Sequence, residues 1–158
     1  MKSISVLVLA LAATAPSHLV QAQEVLVGSW VLDPSKNQGA PGMVPTAGTA
    51  TITAAGGGKY KSVGEVSIGG ATGHSEITYS VDGMDYAVTL TPAQPGAAMT
   101  QSMERVSDTA WKSNLKLNGQ MMATVVTEVS SDGNTLTQTT TGIGQFAAMS
   151  STVVFKRK

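Results

Sequence analysis

The chain has 158 residues, with 10 Lys and Arg against 10 Asp and Glu, and no cysteine. That length suits one domain with a buried core. The balanced charge provides no basic field for nucleic acid, and the missing cysteine excludes disulfide staples, thiolate metal sites and a lipid-anchored lipoprotein.

Residues 1–22 read as a cleavable secretory signal peptide. Lys2 supplies the leading charge, and Ile4 to Ala13 is apolar apart from Ser5. Pro16 then ends the run, and Val20-Gln21-Ala22 offers a cleavage site after Ala22. The apolar run is too short for a spanning helix, which needs about 20 such residues. The expected product is one domain, residues 23–158, exported and soluble, in the periplasm or outside the cell.

That domain reads as all-β. Helical periodicity is absent, and short runs rich in Val, Thr and Ser alternate with turn signals. Strands are predicted at 25–33, 48–55, 59–68, 73–81, 84–90, 98–106, 109–117, 120–130, 134–141 and 147–156. Tight turns are marked by Gly69-Gly70, Asp82-Gly83, Asn118-Gly119 and Asp132-Gly133-Asn134. Alternation within the strands implies one buried and one wet face. Ile77, Tyr79 and Val81 oppose His74, Glu76, Thr78 and Ser80. Trp111, Leu115 and Leu117 oppose Lys112, Asn114 and Lys116. Met84, Tyr86, Val88 and Leu90 form another inward set, and so do Tyr60, Val66 and Ile68. Residues 34–47 and 91–97, rich in Pro and Gly, read as irregular loops.

Sequential strands joined by tight turns predict an antiparallel up-and-down barrel of about 8–10 strands, closed by pairing of the first strand with the last. An outer-membrane barrel is excluded by the Lys, Glu and Asn on the outward faces and by an aromatic content of 4%.

Gly28-Ser29-Trp30 falls on the first strand, followed by Val31-Leu32-Asp33-Pro34-Ser35-Lys36. This stretch resembles the start of small secreted bacterial proteins of the lipocalin-like, calycin type. Val81-Asp82-Gly83-Met84-Asp85-Tyr86, Ser130-Ser131-Asp132-Gly133-Asn134-Thr135-Leu136-Thr137 and Val153-Val154-Phe155-Lys156 are similar to later landmarks of that group, in the same order. The resemblance implies that Gly28 and Trp30 close one end of the barrel, with a cation on the indole. Arg105, which shares a face with Met99 and Met103, is the expected cation ahead of Arg157. The sequence departs from intracellular fatty-acid-binding proteins. Residues 34–47 are too rich in Gly and Pro for their helix pair, and the last strand lacks their Arg-x-Tyr pair.

Groups for catalysis are sparse. His74 is the one histidine after the leader, on a wet face, and no nucleophile elbow accompanies it. Glu65 and Glu76 read as solvated, Asp82 and Asp132 as turn formers, and Gly56-Gly57-Gly58 precedes no helix that could receive phosphate. No metal or cofactor is expected. Tyr60, Tyr79, Tyr86, Arg105 and Trp111 are the candidate ligand contacts. The small inward residues Ser62, Gly64, Ser75 and Ser113 leave space beside them. The expected function is a binding protein holding a small, largely apolar molecule. Two alternatives stay open: a filled envelope barrel that binds proteins, and an enzyme using Arg105, a tyrosine and a carboxylate.

Overall fold

A computed structural model describes residues 25–158. Residues 1–22, read from the sequence as a signal peptide, lie outside this range. The strands are β1 (Gly28–Leu32), β2 (Gln38–Gly39), β3 (Ala47–Gly56), β4 (Lys59–Ile68), β5 (Ala71–Tyr79), β6 (Tyr86–Thr91), β7 (Met99–Arg105), β8 (Ala110–Leu117), β9 (Gln120–Val129), β10 (Thr135–Gly142) and β11 (Ser151–Arg157). Ten of them pair antiparallel in sequence order, and β1 pairs with β11 to close the barrel. The two-residue β2 continues alongside β11 beyond β1.

The turn chemistry sets this order. Asn118 and Gly119 both have positive φ, 51° and 79°, which lets β8 return directly as β9. Alternation holds through the sheet: Ile77 and Tyr79 are buried while Glu76 and Thr78 are exposed. The outward faces carry ion pairs instead, Lys61 with Glu76 at 2.9 Å and His74 Nδ1 with Glu65 at 3.1 Å.

Three boundaries differ from the sequence reading. The last strand begins at Ser151, because Gly144–Met149 forms a 3-10 helix that packs its Phe146 backbone directly over Gly142, where a Cβ would collide. The strand predicted from Met84 begins at Tyr86. Asp82 accepts a hydrogen bond from Met84 N (2.9 Å), which fixes a turn and leaves Met84 exposed rather than inward. The loop 34–47 contains a 3-10 turn, Pro34–Lys36, as well as β2.

One end of the barrel is sealed. Trp30 is 1% exposed, and its indole N–H donates to Leu26 O at 3.1 Å. The Arg157 guanidinium lies over the indole, 4.2 Å from its centroid. The cation on Trp30 is therefore Arg157, which corrects the expectation for Arg105. The reason is register: β1 pairs with β11 so that Trp30 stands opposite Arg157. Arg157 also donates to Val27 O and Val25 O, each at 2.8 Å, and to Gly133 O at 2.7 Å. Gly28 makes this possible, since a Cβ there would collide with the guanidinium. Arg105 is held in its own turn, donating to Ser107 O at 2.9 Å and pairing with Asp108.

Asp33 anchors the start of the loop to the last strand. Its carboxylate pairs with Lys156 at 2.8 Å and accepts from Ser35 Oγ at 2.6 Å. These hydrogen bonds, with Lys156 foremost, hold its pKa down at about 2.

Candidate ligand-binding cavity

Between the sealed end and the opposite mouth lies an internal cavity of about 280 Å³. Its apolar wall includes Leu26, Ile52, Ile77, Met103, Leu115 and Phe155. The space follows from residue size. Ser62, Gly64 and Ser75 occupy inward positions on β4 and β5, with Gly64 directly opposite Ser75, and none reaches far into the interior. At this volume the cavity stands near the lower end of ligand-binding sites, roughly 300–1,000 Å³.

Uncharged polar side chains line both sides of the cavity: Thr49, Ser62 and Ser75 on β3 to β5, and a second group on β7 to β10. Gln101 on β7 donates from Nε2 to Ser113 Oγ on β8 at 3.2 Å. Thr127 on β9 and Gln138 on β10 stand opposite each other in register. All four line the cavity, and Ser113 and Thr127 are buried, at 2% and 3% exposed.

The aromatic and basic candidates sit elsewhere, with one exception. Tyr79 lines the cavity at 2% exposed, and burial raises its phenol pKa to about 12. Tyr60 packs beside it, with ring centroids 5.9 Å apart and an interplanar angle of 36°. Tyr60, Tyr86, Arg105 and Trp111 are not among the residues lining the cavity. Tyr86 donates its hydroxyl to Asp82 Oδ2 at 2.7 Å, which together with the Met84 N–H holds the Asp82 carboxyl below its ordinary pKa. Trp111 is fully buried, and its indole N–H has no hydrogen-bond partner among the described residues. Arg105, a tyrosine and a carboxylate are therefore not gathered at the cavity.

Gln101, Thr127 and Gln138 are functional candidates that the sequence reading missed. The signal was present as polar residues at inward alternation positions, such as Gln101 between Met99 and Met103 and Gln138 two residues after Leu136.

At the mouth, Met43 and Pro45 from the loop and Met149 from the 3-10 helix join Ile68, Leu115 and Phe155 around a second space of about 220 Å³. The loop is tied down by Asn37, whose Nδ2 donates to Pro45 O at 3.0 Å and whose Oδ1 accepts from Val154 N at 3.1 Å. Among the described residues, no group of three or more His, Cys, Asp or Glu is placed to hold a metal ion.

The described residues form a closed antiparallel barrel sealed by a first-strand tryptophan under a last-strand arginine. Among solved structures it is similar to the fluorescent protein UnaG. The wild-type UnaG structure aligns with a TM-score of 0.58 and 17% identity over 85% of this chain and 98% of that one. A single-substitution mutant of UnaG aligns with a TM-score of 0.60 and 17% identity over 86% of this chain and 98% of that one. At such identity the likeness is one of fold. No protein-family model matches the chain, and no curated protein matches its sequence.

Proposed function

We propose that the chain is an exported, soluble binding protein that holds a small, largely apolar molecule inside its barrel. The observation that carries this reading is the 280 Å³ cavity, walled by aliphatic and aromatic side chains interspersed with uncharged polar ones. Ion pairs on the outward faces, among them Lys61 with Glu76 and Lys116 with Asp85, support a surface that meets water. Among the described residues no helix is long and apolar enough to cross a membrane.

Titration of residues 23–158 with a neutral, environment-sensitive apolar dye tests the binding. Saturable one-to-one binding, relieved by a small apolar competitor, is the expected outcome. A linear, unsaturated signal would rule the reading out. Export is tested separately, by expressing the full chain in a bacterial host and sequencing the N-terminus of the protein from the periplasm or medium. The sequence should begin at Gln23. Product that stays in the cytoplasm with its leader intact would refute the export.

A further inference from the structure

Among the described residues, those around the cavity include Ser, Thr, Gln and Tyr, but no Lys, Arg, His, Asp or Glu. The charged side chains nearest in sequence are engaged elsewhere. Arg105 is paired with Asp108, His74 with Glu65 on the outward face, and Arg157 with three backbone carbonyls above Trp30. Tyr79, the titratable group in the wall, keeps its proton because burial holds its pKa at about 12.

Besides Thr49, Ser62 and Ser75 on β3 to β5, polar groups form a belt across β7 to β10. Gln101 Nε2 already donates to Ser113 Oγ. That bond leaves the Gln101 carbonyl as an acceptor and the Ser113 hydroxyl as a donor. Thr127 and Gln138, facing each other across the β9–β10 pair, make no side-chain hydrogen bond with the described residues. A neutral head group that both donates and accepts can complete such a belt. A carboxylate only accepts. Buried here it would leave its charge unpaired in an apolar enclosure, which is among the most costly arrangements in a protein interior.

We propose that the cavity selects by charge: it takes a small neutral molecule carrying a hydroxyl or carbonyl, held by the Gln101–Ser113–Thr127–Gln138 belt, and turns away the carboxylate of the same skeleton. This rests on the binding reading above and adds the class of ligand. The size agrees, because about 280 Å³ lies near the lower end of small-molecule sites, roughly 300–1,000 Å³, which suits a short chain or a single small ring system.

The test is competition against the neutral dye with octanol, octanoate and octylammonium, three ligands that share one chain and differ in charge. At about pH 7, octanol should displace the dye, with both ions weaker by about 100-fold or more. At about pH 4, where much of the octanoate is protonated, its affinity should rise toward that of octanol. Thr127→Val and Gln138→Leu should each weaken octanol about three- to tenfold. Gln138→Arg should move the preference toward octanoate by supplying the missing charge, with circular dichroism confirming that each variant folds. Octanoate competing within about tenfold of octanol at about pH 7 would overturn the proposal. So would dye binding that none of the three ligands relieves, although the binding reading would then survive. Failure of the dye itself to bind would remove both.

Discussion

The two ends of the barrel are built from different materials. At the sealed end, Trp30, Tyr79, Trp111 and Leu136 are all at most 2% exposed, and Arg157 ties β11 to the segment before β1 and to the turn at Gly133. Toward the mouth, the inward positions are Ser62, Gly64, Ser75, Gln138 and Thr140, and they surround empty space. The contrast separates two duties that one close-packed core would have to share. Dense aromatic packing at one end supplies stability, which leaves the other free to stay hollow. A chain without cysteine has no disulfide to make up for that hollowness, so the sealed end matters more here than in a stapled domain.

This division can be broken from either side. The largest effect should come from Trp30→Ala, which removes the indole under Arg157 and should cost about 3–5 kcal/mol in urea unfolding. A loss below about 1 kcal/mol would show that the sealed end does not carry the stability. Next is Ser75→Leu, which fills the hollow half. It should weaken dye binding by about tenfold or more while leaving the unfolding midpoint unchanged or raised, because the cavity has room for the added carbons. Unchanged dye affinity would place the binding site outside the barrel.

A smaller effect is expected of Trp111→Phe. The indole N–H of Trp111 lacks a partner among the described residues, and an unpartnered buried donor costs about 1–3 kcal/mol. Its removal should offset most of the lost packing, leaving stability within about 1 kcal/mol. Trp30→Phe, which gives up a made hydrogen bond and a cation contact, should cost clearly more. Equal losses in the two variants would mean that Trp111 has found a partner.

The smallest effect concerns acid. Asp33 titrates at about 2 in the folded protein against an ordinary 3.8. The unfolded chain therefore takes up the proton first. The contribution is complete above about pH 4 and falls away as pH drops toward 2. Lys156→Met should flatten that acid limb by lowering the plateau above about pH 4, with stability near pH 2 little changed. A limb of unchanged steepness would assign the acid sensitivity to other carboxylates.

The fold was legible because strand alternation and turn residues are local. Tyr79 and Ile77 declared their face, and Asn118-Gly119 declared its hairpin. The start of β11 was not legible, because Gly144–Met149 is shaped by the backbone it packs against Gly142. The site was only partly legible, for a geometric reason. A period of two tells whether a side chain points in, but says nothing about its height along the barrel axis. Tyr60, Tyr79, Tyr86, Arg105 and Trp111 all stand within two residues of a strand end at the sealed side. Among these five, only Tyr79 reaches the cavity. Height depends on which strand ends meet, and that is set by pairing between distant residues. The same blindness favoured Arg105: pairing of the first strand with the last was expected, but the register that sets Trp30 opposite Arg157 could not be read from the sequence.

The Arg157 seal also bears on how the barrel comes together in time. Its bonds to Val27 and Val25 join residues 130 and 132 positions apart, the most remote side-chain hydrogen bonds among the described residues. The hairpins from β3 to β10 can zip as each appears, because each closes only a short loop. The β1–β11 seam has no such local route and must await the final strand, which makes it the natural slow step in a fold dominated by strand pairing. Until that strand docks, Trp30 lacks its arginine and the sheet keeps two open edges. In that interval the chain is most prone to pair with another copy. Aggregation during refolding should therefore track the delay in closing this seam rather than the stability of the finished barrel.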